Sequence, residues 1–576
     1  MMELKSYPAS FHKRLIFLII VFFIGVFAYQ SIYLASHYSL TNDEGKHLVT
    51  GWWHLNHRYC CLGRDNSPLT AYFSIPFLFT EKAEHLEIQP GSNAHQAGNL
   101  LIFQSKNPWQ NIFLSRCTTI LAGIILLITS FCLTERLFGR LSGFITLGVL
   151  VFDPNIIAHF SLISTDALLT TTVMVFFFLF DTLMRRPKAF HAILAGISLG
   201  LAFLTKFTAL VLIPGIIPIL LLYYDKLRTQ PLSKWLRLLS YCCVAVILTV
   251  WIGYGFHYSS HFPFLEFPGF IEGFSEARGY ATNGMVSFFN GEVGRHWTFY
   301  FVEALAIKTP IPILLLWAIS ISILFFRPVT KKSAVQLVPT FMAIIFFMVM
   351  FLSKLNIGIR HILPIYPLMA VSCGSLARSF RSLSKVSSRI RVGGFCLLMA
   401  WMIIEAIRIF PFQLSYFNQI AGGPMGGVKY LGDSNLDWGQ DLGTLKKIMD
   451  KHDIEEVILA YIGNTDPAFF KIKYQYLPLM FFGSVQNNRV VDSRKEIIAV
   501  STNNLQGFLN SKFSYNWLLS RKPIAMAGYS IYLYDITGDA QAHRHLANIY
   551  FSTGLNGLAL KEMEKVSHIE KTSLLN

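Results

Sequence analysis

A polytopic α-helical membrane protein of about eleven spans, closed by a C-terminal extracytoplasmic α/β domain, is the fold class this sequence predicts. Three observations carry the prediction. The chain of 576 residues is 53% hydrophobic, only 14% charged and contains 50 Phe; a soluble chain of this length would divide into several cores and need far more charge to coat them. Apolar runs of about 20 residues recur as far as Phe410. Beyond that point the composition switches to short alternating runs typical of strands.

The predicted spans, in order, cover residues 15–36, 112–133, 141–152, 167–184, 189–204, 207–224, 236–256, 307–326, 335–352, 362–377 and 392–410. The first follows His12-Lys13-Arg14 and is too long for a signal-peptide core, so it is read as an uncleaved anchor, with cleavage after Ala35 as the competing reading. The third, fifth and tenth are short, and the fifth and sixth meet at Thr205-Lys206 as a helical hairpin would. The basic clusters (His12 to Arg14, Arg136 with Arg140, Arg185 to Lys188, Lys226 to Arg237, Arg327 to Lys332, Arg378 to Arg391) all fall on one predicted side, the cytoplasmic one under the positive-inside bias. An odd number of spans then places the N-terminus in the cytoplasm and the C-terminal region outside, as in a multi-pass bacterial inner-membrane protein with a periplasmic domain. Although the net charge is +16, scattered clusters are not the single basic face that nucleic acid requires.

Two modules follow: a transmembrane module, 1–410, with large outer loops at 37–111 and 257–306, and an outer domain, 411–576. In the first loop, residues 48–55 and 69–79 are amphipathic and suit a membrane surface. In the outer domain, the runs 457–461, 497–500 and 529–534 read as strands and 441–452 as a helix, and the tail 545–565 resembles half of a tetratricopeptide unit, read as a capping helix pair. Of the eight cysteines, most sit in or near spans as small hydrophobes. Only Cys60-Cys61 pair in a loop, without zinc spacing.

Chemistry concentrates at the outer boundary. Thr41-Asn42-Asp43-Glu44 places two adjacent carboxylates where the first span emerges; acids there carry a desolvation cost and usually a task. Asp43 can act as general base on a hydroxyl; the plainer reading makes Asn42 or Asp43 a helix cap. Asp153-Pro154-Asn155 and Ser164-Thr165-Asp166 bracket His159 on the same side, either as two caps or as part of a convergent acidic cleft. Lys206, Arg295 and Arg360-His361 are the outer cations, either snorkelling anchors or phosphate ligands, and Arg suits phosphate because its fork donates two hydrogen bonds. Gly422 to Gly427 lacks the Lys-Ser/Thr of a nucleotide loop. Asp433 to Gly439 departs from a calcium loop, with Gly439 one place late and Thr444 where Glu belongs, and reads as a flexible turn.

Taken in order, Asp43-Glu44, Asp153-Pro154-Asn155 with Asp166, Leu204-Thr205-Lys206-Phe207, Asn356 to His361 with Pro364 and Pro367, Tyr416-Phe417-Asn418 and Asp433 to Gln440 resemble the GT-C-type polyprenyl-phosphate-dependent membrane glycosyltransferases. The likeness is to the bacterial protein-O-mannosyltransferase-like group, with the aminoarabinose transferases as relatives. It implies a sugar donor on a polyprenyl phosphate, a protein, lipid or glycan acceptor, an outer-face site within membrane lipid, and an inverting single displacement. By match, Asp43 is the base, Glu44 its support, Asp166 a shaper of the substrate site, and Lys206, Arg295 and Arg360 the phosphate ligands. The aminoarabinose transferases carry an acid-Lys-Pro-Pro stretch in the first loop; here Asp65-Asn66-Ser67-Pro68-Leu69 lacks the Lys and first Pro, so other cations must hold the phosphate. A divalent metal is the one cofactor left open. The alternative readings are a transporter of a lipid-linked sugar or ion, which would favour mid-membrane charges and paired repeats, or a membrane scaffold.

Overall fold

The computed structural model describes residues 9–57, 67–75, 93–255, 268–326, 334–380, 385–478, 489–491, 493–507 and 515–575. Cys60-Cys61 and Asp65-Asn66 lie outside them. The molecule is built on α1 (Ala9–His37), α2 (Asn42–His57), α3 (Leu69–Phe73), α4 (Ala94–Phe103), α5 (Pro108–Phe138), α6 (Arg140–Val151), α7 (Pro154–Phe160), α8 (Thr165–Arg185) and α9 (Ala189–Thr205), followed by further apolar helices to Ile409. Among the described residues six helices are long and apolar enough to cross a membrane, or eight if each of two bent pairs is one span. This is a multi-pass membrane protein.

Each expected span is occupied by helix, and backbone chemistry explains the ones that are short or bent. The short third span is α6, which turns by 68° into α7. Pro154 starts α7 at its first position, where no amide donor is needed, and Asp153 Oδ1 caps it by accepting from the amides of Asn155 and Ile156. The eighth is the helix Ile311–Phe325, bent by 111° from the preceding helix Tyr300–Lys308 where Thr309-Pro310 forbids continuation. The tenth is only the helix Ile365–Cys373 with a 3₁₀ turn, Gly374–Arg378.

The first loop folds back on itself. Asn93 caps α4, and α4 crosses α2 where Gly98 meets the carbonyl of Gly45, so closely that any Cβ on Gly98 would strike it. That crossing places the start of α4 beside the start of α2.

After the apolar helix Lys385–Ile409 the chain builds a five-stranded sheet of order β4-β3-β5-β7-β6, where β3 is Glu456–Ala460, β4 Lys473–Tyr476, β5 Ile497–Ser501, β6 Ala525–Ala527 and β7 Ile531–Asp535; β1 (Ser287–Phe289) and β2 (Glu292–Gly294) form a separate hairpin. The β3–β4 and β3–β5 pairs are parallel, the other two antiparallel. Alternation along β3 sends Val457 and Leu459 to the face covered by Leu442, Leu445 and Met449, and Ile458 and Ala460 to the face covered by Leu546 and Tyr550 of the closing helix pair. The expected strands and helix thus all form, along with the tail pair Ala540–Ser552 and Asn556–Leu575.

Candidate active site

Adjacent in sequence, Asp43 and Glu44 separate in space. Glu44 is fully buried, and both its oxygens are engaged. Oε1 accepts from Arg116 Nε (2.8 Å) and the Ile163 amide (3.0 Å); Oε2 accepts from Arg116 Nη2 (2.6 Å), the Thr41 amide (2.8 Å) and Thr41 Oγ1 (3.0 Å). Arg116 uses its remaining N–H groups on the carbonyls of Ala35, Tyr38 and Ser39, the turn between α1 and α2. Burial would raise the Glu44 pKa, but Arg116 and these donors more than offset it and hold the group ionised. Both Glu44 oxygens are thus taken up within the fold, which ties the start of α2 to α5.

Asp43, by contrast, keeps 31% of its side chain exposed and makes one ion pair, Oδ2 to Arg360 Nη1 at 2.6 Å. Burial pushes its pKa up, but the charges of Arg360, His95 and His47 prevail and hold the carboxyl below the ordinary range. His95 also bonds the carbonyl of Asn42 through Nδ1 at 2.8 Å, a product of the α2–α4 crossing.

Beside this pair lies a second. Lys206, at the end of α9, donates from Nζ to Asp166 Oδ1 at 2.6 Å and approaches His361 Nδ1 at 3.4 Å. An ammonium only donates, so Nδ1 accepts and the proton of His361 resides on Nε2. Burial and the charge of Lys206 push the His361 pKa well down, keeping the ring neutral. Among the described residues Asp166 Oδ2, His361 Nε2, Arg360 Nε and His159 Nδ1 are buried without hydrogen-bond partners. Buried polar atoms rarely go unpaired, and here four belong to adjoining side chains of one constellation.

The sequence-predicted residues divide accordingly. Asp43, Arg360, His361, Lys206 and Asp166 come together, with His159 reached through Trp438, whose ring meets it edge-on at 6.1 Å. Asp153 is occupied as the cap of α7. Arg295 stands exposed just beyond β2, outside the cluster. Among the described residues no three His, Cys, Asp or Glu converge on a metal position, and Asp43 and Asp166 are each held by a cation.

Three further residues contribute beside those predicted from sequence. Arg116 and Lys308 are charges within or at the edge of apolar runs, and such charges need partners; Lys308 donates to the carbonyls of Leu414 (2.9 Å) and Asn435 (2.5 Å). Trp438 lies in the segment read as a flexible turn. That segment is instead largely buried and ordered by its own hydrogen bonds.

Residues 95–252 match the family described as dolichyl-phosphate-mannose-protein mannosyltransferase. The matched stretch contains Asp153, His159, Asp166 and Lys206 of the candidate site. Among solved structures, ArnT from Cupriavidus metallidurans bound to undecaprenyl phosphate aligns over 90% of this chain and 97% of its own at 14% identity, with a TM-score of 0.47. The Archaeoglobus fulgidus oligosaccharyltransferase in the apo form aligns over 67% of this chain and 56% of its own at 12% identity and 0.40. Arabinosyltransferase EmbB from Mycobacterium smegmatis covers 73% and 44% at 13% identity and 0.30. No curated protein matches the chain.

Proposed function

We propose that this chain transfers a sugar from a polyprenyl-phosphate carrier to a hydroxyl of an envelope acceptor, at the outer face of a bacterial inner membrane and with inversion. The observation that carries the reading is the direct contact of a carboxylate suited to proton abstraction, Asp43, with a cation suited to phosphate, Arg360. The matched family is named for a dolichyl-phosphate sugar donor, which is a polyprenyl phosphate.

In this proposal the donor phosphate takes Arg360 and Lys206, and the neutral His361 donates Nε2–H to a phosphate oxygen. With its Nε edge on the phosphate, Arg360 shares its charge between the donor and Asp43, so the carboxylate becomes a better base when the donor is bound. The acceptor oxygen attacks the anomeric carbon as its proton passes to Asp43. The bond from that carbon to the phosphate oxygen breaks, and the electron pair leaves with the polyprenyl phosphate, whose charge the cations stabilise. No nucleotide or metal enters the scheme.

Mass spectrometry of envelope glycans and glycoproteins tests it, in cells with the intact protein, none, or Asp43→Asn at matched membrane abundance. A sugar should vanish without the protein and fall by about 10²–10⁴ in rate of formation with Asp43→Asn. If Asp43→Asn forms product like the intact chain, the base assignment fails.

A further inference from the structure

The segment Asp433 to Asp441, on the domain side of the last apolar helix, touches both halves of the site. The amide of Asn42, the residue before the base, donates to the carbonyl of Trp438 at 3.1 Å. The amide of Ile359, the residue before the cation, donates to Asn435 Oδ1 at 2.9 Å, and Ser434 Oγ donates to the carbonyl of Ile357 at 2.9 Å. Gly358 makes room for that serine, since a Cβ there would strike its hydroxyl. Farther along, Ser39 Oγ donates to the carbonyl of Gly439 at 2.9 Å and the Ser39 amide to that of Gln440 at 2.9 Å. Asn503 ties the same segment to the sheet domain by donating from Nδ2 to the carbonyl of Asp437 at 2.8 Å. Between these anchors the Trp438 ring, buried at 3% exposure, lies against the Arg360 guanidinium, whose central carbon is 4.2 Å from the ring centre.

We propose that Trp438 is a positioning residue for the donor phosphate: its ring fixes the guanidinium plane of Arg360, with Nη1 on Asp43 and the unpartnered Nε edge presented to the phosphate. The inference rests on the glycosyltransferase reading above and gives the C-terminal domain a part in the site. A guanidinium attached only by its flexible stem is free to turn either edge to Asp43. Stacking on an aromatic face restrains the plane while leaving every N–H free. The strap fixes the residues just before Asp43 and Arg360, so it sets the separation of base and cation as well as the plane.

The test replaces Trp438 site-specifically with mono-, di- and trifluorotryptophan in the full-length reconstituted protein. Fluorine drains the negative face of the ring and barely alters its shape, so the fold is kept. Binding of undecaprenyl phosphate is compared with that of undecaprenol, the uncharged control. Kd for the phosphate should rise stepwise, by about fivefold across the series, while undecaprenol binding stays flat, and Arg360→Ala should abolish the trend. Trp438→Leu should weaken phosphate binding at least as much as the trifluorinated ring. A flat series in a protein that prefers the phosphate over the alcohol overturns the role of Trp438 alone. Equal binding of the two lipids by the intact chain overturns the donor reading and this inference with it.

Discussion

Asp166 and Asp181 stand at opposite ends of one helix, α8, and both are buried among cations. Asp181 is saturated. Its Oδ1 accepts from Tyr223 Oη (2.6 Å) and Arg185 Nε (2.9 Å), its Oδ2 from Arg136 Nη1 (2.9 Å) and Arg185 Nε (2.8 Å). Asp166 gives one oxygen to Lys206 and leaves the other buried without a partner among the described residues. Residue type, burial and charge environment are alike, so none of these separates a structural acid from a functional one. What differs between the two ends is completeness of hydrogen bonding. The same contrast divides Glu44, with every acceptor occupied, from Asp43, with one ion pair and an exposed edge.

The largest effect expected from this contrast is on Glu44. Glu44→Gln leaves the Arg116 guanidinium charged and uncompensated at 1% exposure. Removing one partner of a buried pair costs about 3–5 kcal/mol, so thermal unfolding of the extracted protein should show strong destabilisation and lower membrane abundance. A variant with normal stability and no activity would place Glu44 in the chemistry and break the distinction between saturated and open acids.

The two ends of α8 give a smaller, paired effect. Asp181→Asn gives up hydrogen bonds to charged donors that retain access to water, costing about 2 kcal/mol of stability, while the specific activity of folded protein stays near that of the intact chain. Asp166→Asn should also lower stability, by about 2 kcal/mol, but with a loss of about tenfold in kcat/KM, or about 1.4 kcal/mol in transition-state stabilisation, that Asp181→Asn does not show. Both are read on one preparation by thermal unfolding and transfer rate. Swapped outcomes would show that α8 carries its function at the Arg185 end.

Much of this was legible in the sequence because membranes make charge expensive. Asp43, Asp166, Lys206, Arg360 and His361 were found by type and by position at span boundaries, and the structure brings these five together. Partner choice was not legible. Nothing in Asp43-Glu44 says which carboxylate faces Arg116, since that depends on α5 packing against the turn after α1. Arg116 did leave a trace, an arginine inside an apolar run, as did Lys308-Thr309-Pro310, where a charge and a proline stand at the start of a predicted span. Trp438 left none. Its place under Arg360 is a tertiary fact, created when a segment without helical or strand periodicity is strapped between the first loop and residues 357–359. The sheet domain was easier, because β3 and β5 are short, wholly buried runs between turn residues.

Arg295 provides the smallest effect and the sharpest boundary. On residue type and predicted side it qualified as a phosphate ligand beside Lys206 and Arg360. In the fold it follows the β1–β2 hairpin and stays exposed, whereas Arg360 is held between Asp43 and the ring of Trp438. A guanidinium in water has already satisfied its donors, so bringing it onto phosphate gains little unless the surroundings hold it there. Arg295→Gln should therefore change KM for the lipid donor by no more than about twofold, with kcat and thermal stability unaffected, measured beside Arg360→Gln in the same membranes. A tenfold rise in KM for Arg295→Gln would mean that the hairpin closes over the donor. The site would then extend beyond the pre-held cations, and incomplete hydrogen bonding would no longer mark its limits.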